Sequence, residues 1–368
     1  MQAAGAQRVM AQLVNHLAGR GHDVSLVTFE EAGDPTFFEL ADGVRRIRLG
    51  RQPEGPRLNR LRRLARWISG IRRAIRQIKP DVVLSFIDLT NVMTLLATRG
   101  LGVSVVVSER IDPHHHPIGP TGNILRRMTY PRAKRIVVQT SRAARFFADA
   151  PPSQCVTLAN PVPPAKLKAQ VAIANNLGRW RILGLGRLNR QKGFDLLIPA
   201  FARIAARNPD WDVAIFGQGP EQSALQAEID RAGLSGRITL NPPTHAVAEE
   251  LAAAHIFAFP SRYEGFPNAL AEAMAAGLPA VAFADVSGVE DLIAHGASGL
   301  LAEWGAAPDT AIQAFTTHLA ALMANPDLRQ QLGEAAVHRT EAFEPQRMLS
   351  EWEEMIAQVV ETGGNNLQ

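Results

Sequence analysis

Apolar residues recur at helical spacing from Val9 to Leu17, so the pattern predicts a helix over residues 9–17. Gly19-Arg20-Gly21-His22 ends it, and the run 24–29 predicts a strand. Further strands are expected over 46–49, 81–86, 103–108, 135–139 and 156–159, with helical stretches between several of them. Strands separated by helices argue for a parallel sheet. Asn160-Pro161-Val162-Pro163-Pro164 closes this series, and residues 161–178 read as a linker. A second series follows, with strands over 181–185, 211–216, 237–240, 256–259 and 279–283. Its helices fall over 193–206, 222–232, 246–254, 268–276 and 289–294. Two successive doubly wound α/β domains are the reading: 1–165 and 166–343. In the tail, 344–368, Met348, Trp352, Met355 and Val359 form one apolar helical face that needs a partner surface, expected in the first domain. A doubly wound domain ordinarily opens on a strand. Here Ala3-Ala4-Gly5-Ala6 arrives at once, so the first strand is expected either to be missing or to lie elsewhere.

Composition narrows the class. The 368 residues are 46% hydrophobic, enough for two cores. The single cysteine, Cys155, excludes an internal disulfide and a cysteine-rich metal site. No run of 18 apolar residues occurs, and the first eight residues are short and polar. A cytoplasmic chain is expected. Charge is uneven: residues 43–80 hold twelve arginines and one lysine against one acid, Glu54, so this segment is +12 within a chain of net +4. With Trp67 and Ile68 inside it, residues 45–79 suit an anionic membrane surface, which would make the chain peripheral on the cytoplasmic face of the inner membrane. Nucleic acid is the less favoured partner, and a solvated helical face is the plain alternative.

Two clusters could carry chemistry. Residues 261–273, Ser-Arg-Tyr-Glu-Gly-Phe-Pro-Asn-Ala-Leu-Ala-Glu-Ala, follow a predicted strand and so lie at its carboxyl end, where open α/β sheets bind ligands. Pro267 suits a first helical position. The amides of Phe266, Asn268 and Ala269 would then be free to meet an anion. Were the whole span helical, Glu264 and Glu272 would lie about 12 Å apart along the axis. That is too far to share a proton or metal, but it suits opposite ends of an extended ligand. Residues 184–195, Gly-Leu-Gly-Arg-Leu-Asn-Arg-Gln-Lys-Gly-Phe-Asp, also join a strand to a helix. Gly184 and Gly186 permit close backbone approach, while Arg187 and Lys192 can reach one phosphate. The cluster lacks the third glycine of a dinucleotide fingerprint and the Gly-Lys-Ser/Thr of a Walker loop. A surface acid with a capping acid, and a basic capped turn, are the bland readings. Gly217-Gln218-Gly219 and Ser287-Gly288-Val289-Glu290 add further turns on the same edge, and Gly5-Ala6 precedes the first helix.

The stretch 109–117 holds His114, His115 and His116, but adjacent histidines converge poorly on one ion, so no metal site is expected. Ser141 is expected to cap a helix and His22 to be structural. Ser85 has no evident relay partners.

These residues resemble the family 4 retaining glycosyltransferases. Glu264…Glu272 around Gly-Phe-Pro-Asn looks like the two-glutamate motif of that family. Gly186-Arg187-Leu188 with Lys192-Gly193 is similar to its phosphate-side motif. Gly217-Gln218-Gly219-Pro220, Gly277-Leu278-Pro279, Gly296-Ala297-Ser298-Gly299-Leu300, Gly5-Ala6-Gln7-Arg8-Val9-Met10 and Gly21-His22-Asp23-Val24 match in the same order. The resemblance implies the GT-B fold, two Rossmann-like doubly wound domains facing across a cleft, and a tail helix crossing back to the first domain. It implies transfer of a hexose or N-acetylhexosamine from a nucleotide diphosphate sugar to a glycan or lipid-linked acceptor. UDP is the nucleotide by resemblance, with GDP the alternative. No metal or other cofactor is implied. Arg187 and Lys192 would contact the diphosphate, with Gly5, Gly186 and Gly217 allowing close approach. Phe266, Pro267, Asn268 and Ala269 would meet sugar or phosphate, Glu272 the ribose and Glu264 the donor sugar. Ser108-Glu109-Arg110-Ile111-Asp112-Pro113 looks like a stretch of polysaccharide-building members, with Ile111 in place of asparagine. Among Glu109, Asp112 and His114, Glu109 is the choice for a first-domain residue near the sugar. A nucleotide-sugar epimerase of the same fold and a non-catalytic membrane-surface protein are the rival readings.

Overall fold

The computed structural model describes residues 5–31, 33–34, 38–50, 57–115, 118–175 and 178–364, excluding the side chains of 57–61 and Gly364. Its contacts divide the chain into two units, residues 1–161 with 346–368, and residues 162–345.

Unit 1 opens on helix α1 (Gly5–Gly19), followed by β1 (Ser25–Thr28), β2 (Arg45–Arg48), α2 (Arg57–Ile78), β3 (Val82–Phe86) and α3 (Asp88–Ala97). The series goes on through β4 (Ser104–Ser108), α4 (Gly119–Thr129), β5 (Arg135–Val138), α5 (Ser141–Arg145) and β6 (Cys155–Thr157). Strands β1 and β2 pair in parallel as one sheet, and β3-β4-β5-β6 form a second parallel sheet in simple order. Residues 1–4, which bear on the expectation of a first strand, lie outside the described residues. Val9, Leu13 and Leu17 of α1 bury one face against Phe86, Val106, Val137 and Leu158. A helix from the far end of the chain packs into the same core.

Unit 2 runs through β7 (Trp180–Leu185), α6 (Phe194–Ala205), β8 (Trp211–Phe216), α7 (Gln222–Arg231), β9 (Ile238–Asn241), α8 (Val247–Ala252) and β10 (Ile256–Phe259). It continues through α9 (Asn268–Ala275), β11 (Ala280–Phe283), α10 (Val289–Leu292), β12 (Leu300–Ala302), α11 (Pro308–Ala324) and α12 (Pro326–Thr340). All six strands are parallel in the order β12-β11-β10-β7-β8-β9. From β7 the chain lays β8 and β9 outward on one side and then β10, β11 and β12 on the other, the arrangement that leaves a switch point between β7 and β10. Helix α13 (Pro345–Gly364) closes the chain. Its Met348, Trp352, Met355 and Val359 are buried in unit 1, and Trp352 stacks on Phe86 with ring centroids 5.6 Å apart. Burying such a face, rather than intrinsic propensity, is what holds a terminal helix in place.

Arg329 is fully buried in unit 2. It caps carbonyls at the end of α11, Leu322 at 2.7 Å and Met323 at 3.1 Å, and donates to Val171 at 2.7 Å. Its guanidinium also lies 4.3 Å over the Trp180 ring. The incoming segment is thus fastened to the sheet with no counter-charge among the described residues.

Candidate active site

The loops leaving β7 and β10 part at the switch point of unit 2, and they are the two clusters singled out above. The first is zipped to the loop after β8: Leu188 N–H donates to the Gln218 carbonyl at 3.0 Å and Glu221 N–H to that of Leu188 at 2.9 Å. Only glycine allows this. A Cβ at Gly217 would stand 1.8 Å from the Gly186 carbonyl oxygen, and one at Gly219 2.2 Å from that of Leu188. Gly217 therefore serves the site by letting two backbones touch. Asn189 Oδ1 accepts from Lys192 N–H at 3.3 Å and caps a short turn. Gly193, at φ 70°, then swings the chain into α6. A Cβ there would stand 2.0 Å from the Pro260 carbonyl, so this position also joins the first loop to the second.

The two loops are tied directly. Arg262 forks onto Asp195 with both hydrogen bonds at 2.7 Å and reaches the Arg190 carbonyl at 2.7 Å. Its own N–H donates to Gln191 at 2.8 Å, and Gln191 Nε2 donates to the Tyr263 carbonyl at 2.9 Å. The sequence reading named Arg262 within its cluster without a role. A partner 67 residues away leaves no local signal.

This frame brings Lys192 and Glu264 together: Lys192 Nζ donates to Glu264 Oε1 at 2.6 Å and lies 5.5 Å from the Phe259 ring centroid. The lysine stem runs over Gly186, where a Cβ would meet its Cγ and Cδ at 3.1 Å. Glu264 is buried, while Arg187 is exposed and its guanidinium forms no hydrogen bond or ion pair with the described residues. One cation is paired and held, the other is open with five N–H donors.

The second loop differs from the expectation in three respects. Helix α9 starts at Asn268, so Pro267 precedes it instead of being its first helical residue. Asn268 N–H donates to the Phe266 carbonyl at 2.9 Å and is not free, whereas the Phe266 and Ala269 amides have no acceptor among the described residues. Only the part of the 264–272 span from Asn268 onward is helical, so the axial rise of a continuous helix does not apply to the two glutamates. The reason is local: Glu264–Phe266 form the loop that carries Glu264 to Lys192. Phe266 is buried edge-on against Phe343, with centroids 5.9 Å apart, and Glu272 is partly buried one turn into α9. At the end of β11, Gly288 at φ 80° turns the chain into α10.

In unit 1, Gly5 is the first residue of α1 and is partly buried. Glu109 follows β4 and is 1% exposed. Tyr130 Oη donates to its Oε1, and Arg126 Nε lies 3.2 Å from the same oxygen. Asn91 donates to Tyr130 Oη at 3.1 Å. Burial, only partly opposed by Arg126 and Tyr130, pushes the Glu109 carboxyl up to about 7. The folded chain thus holds this proton to higher pH than the unfolded chain. Below about 4.5 both forms are protonated; from there to about 7 the unfolded chain ionises first, so stability falls as pH rises. Glu109→Gln is expected to flatten the fall of Tm across that window, measured from about pH 5 to 8. An unaltered slope would assign it to other groups.

Asp112 is fully buried and accepts from His114 N–H at 3.0 Å and His115 Nδ1 at 2.9 Å, while His116 lies outside the described residues. Thr140, not Ser141, caps α5: its Oγ1 accepts from Ala143 N–H at 3.1 Å. Ser85 bonds Thr94 at 3.1 Å in the interior, and His22 reaches Glu353 of α13 at 3.3 Å.

A family model described as Glycosyltransferase Family 4 matches residues 3–166, and one described as Glycosyl transferases group 1 matches residues 166–339. The chain is 25% identical to an uncharacterized glycosyltransferase of Haemophilus influenzae, over 95% of each chain. It is 24% identical to an α-1,4-N-acetyl-D-galactosaminyltransferase of Campylobacter jejuni whose name specifies a diphosphoundecaprenol-linked acceptor, over 98% of this chain and 96% of that one. Among solved structures, sucrose-phosphate synthase of Thermosynechococcus elongatus superposes with a TM-score of 0.84 at 18% identity, covering 98% and 94%. Anabaena HepE, solved with UDP and glucose, gives 0.76 at 17%, covering 96% of each chain.

Proposed function

We propose a donor, a mechanism and an acceptor class for a chain that belongs to the family 4 glycosyltransferases and is a glycosyl-transferring enzyme of GT-B fold. The donor is a nucleotide diphosphate sugar, UDP-linked in preference to GDP-linked, and the observation that carries this is the Lys192–Glu264 pair at the switch point of unit 2, with Arg187 exposed in the same loop as Lys192. When the bond from the anomeric carbon to phosphate breaks, its electron pair goes to the diphosphate. Lys192 and the amides of Phe266 and Ala269 meet that growing charge from fixed positions, where such donors act most strongly, and the exposed Arg187 swings in to add its fork. We assign this task to those groups and not to a metal. Glu272 accepts hydroxyls of the nucleotide ribose, and Glu264 faces the sugar while anchoring Lys192. The acceptor oxygen attacks the face the diphosphate leaves, so the anomeric configuration is retained. UDP fits with the UDP-bound likeness of HepE.

The acceptor is a glycan or lipid-linked glycan of polysaccharide assembly, a reading supported by the Campylobacter relative and by α2. The outer face of α2 exposes Arg62, Arg66, Arg73 and Arg76 in line, with Lys79 just beyond. Its other face is used within unit 1: Ile71 and Ile75 are buried with Met93 and Ala97, and Trp67 packs 4.9 Å from Phe29. This corrects the expectation drawn from Trp67 and Ile68. Among its described side chains the helix has no apolar stripe left to sink into lipid, so attachment is by charge, at about 1 kcal/mol per basic side chain near an anionic surface. No described helix is long and apolar enough to cross a membrane. Residues 51–56 of the basic segment lie outside the described residues.

The two functions should separate. Glu272→Ala is expected to abolish transfer while flotation with anionic vesicles persists. Charge reversal at Arg62, Arg73 and Arg76 is expected to abolish flotation, as is raising salt to about 1 M. Unchanged transfer in Glu272→Ala would reject the donor site, and no vesicle binding at low salt would reject the membrane partner.

A further inference from the structure

The carboxyl ends of β4, β5 and β6 in unit 1 carry a second polar cluster, separate from Glu109. Arg110 follows β4, Gln139 follows β5 and Asn160 follows β6. Arg110 Nη2 donates to Asn160 Oδ1 at 2.6 Å, and its Nη1 lies 3.4 Å from Ser108 Oγ. The Gln139 amide, oriented to satisfy its neighbours, accepts from Arg110 Nη2 at 3.3 Å and from Asn160 Nδ2 at 3.0 Å, and donates to the Arg110 carbonyl at 3.1 Å. Gln139 and Asn160 are buried and Arg110 partly so. The guanidinium lies 4.8 Å over the Phe86 ring, itself stacked on Trp352. Among the described residues no carboxylate pairs with Arg110, and its Nε has no acceptor.

Buried cations are ordinarily paired, because desolvation without a counter-charge is costly. Here every contact of the cation is neutral, and burial draws the guanidinium down to about 9. The cluster also sits on the edge of a parallel sheet where ligands are taken. We propose that Arg110, Asn160 and Gln139 form an oxyanion site in unit 1 for a phosphate or phosphodiester group. A directed fork with amide neighbours suits an ion that offers several oxygens at once. Naming the acceptor as the carrier of that group rests on the transfer reading above; the site itself does not.

The test is calorimetric titration of inorganic pyrophosphate into the full chain carrying Arg187→Ala and Lys192→Ala, which removes the anion donors of unit 2. Binding is expected to persist there and to weaken at least about tenfold when Arg110→Gln is added. Binding that is absent in that background, or indifferent to Arg110→Gln, overturns the site. If wild type and the Arg187→Ala, Lys192→Ala chain bind equally while Arg110 still matters, the donor reading fails and this one stands. Asn160→Asp guards against a variant that does not fold. It places a carboxylate against the guanidinium, so it is expected to raise Tm and to suppress pyrophosphate binding; undiminished binding would overturn the site. Farnesyl pyrophosphate as a second ligand separates the sources. An affinity equal to that of pyrophosphate points to a soluble phosphate, and a tighter one to a lipid-linked phosphate, each with the same dependence on Arg110.

Discussion

Lys192→Ala is expected to lower kcat of glycosyl transfer by about 10²–10³-fold, the loss seen when a single preorganised oxyanion donor is removed. The ammonium sits 2.6 Å from Glu264 before any ligand arrives, and its stem is laid over Gly186, so little reorganisation remains when charge develops on the diphosphate. KM should move less than kcat, because the interaction strengthens only as the leaving group gains charge. Lys192→Arg is expected to rescue poorly. The stem is confined by the close approach of Gly186, and a planar fork cannot take the place of a compact ammonium beside Glu264. Steady-state kinetics with saturating acceptor would show this, and an equal rise in KM with kcat intact would make Lys192 a binding residue only.

The second large effect is on stability. Trp352→Ala is expected to destabilise unit 1 by about 3–5 kcal/mol, the range for deleting a buried aromatic side chain. Trp352 is 1% exposed and joins Phe86, Met355 and Val359 in the core beneath α13. The helix has little else to hold it. Glu353 receives His16 at 3.1 Å and Arg20 and His22 at 3.3 Å, contacts that solvent screens at the surface. Because the residue belongs to unit 1, urea unfolding followed by circular dichroism should split into two transitions, with only the earlier one shifted. A single transition with an unchanged midpoint would show that α13 does not support that core.

What the sequence disclosed, and what it hid, follows from the range of the forces involved. Apart from β2, which is Arg-Arg-Ile-Arg, and β12, the strands of the three sheets are short apolar-rich runs, and their positions were readable to within a residue or two. The tail helix was readable because Met348, Trp352, Met355 and Val359 keep step with a helical turn, and all four are buried. Strand β12, only three residues long, is too short to show a period. Helix α12 escaped notice because its buried positions include Arg329 and Gly333, which do not read as apolar. Helix α11 was missed although Ala311, Phe315, Leu319 and Leu322 are spaced for it.

At the site, the residue types were readable and their pairing was not. Arg187, Lys192, Glu264 and Glu272 stood out by their positions after strands. That Lys192 and Glu264 touch, and that Arg262 binds Asp195, depends on β7 lying beside β10, which no local pattern encodes. The Asn268 amide was expected to be free because Pro267 suits a helix start, but the turn at Phe266 claims that N–H first. Within the basic segment, the reading of Trp67 misled in the same way. Trp67 looks available for lipid in one dimension and is committed to Phe29 in three.

Calorimetric titration of UDP into wild type and into the Arg187→Ala, Lys192→Ala chain tests most directly whether the switch point of unit 2 holds a nucleotide diphosphate. Wild type is expected to bind, and the double variant to lose at least about 100-fold in affinity, as two charge-assisted contacts require. Equal affinity in the two proteins, with the variant folded, would contradict it.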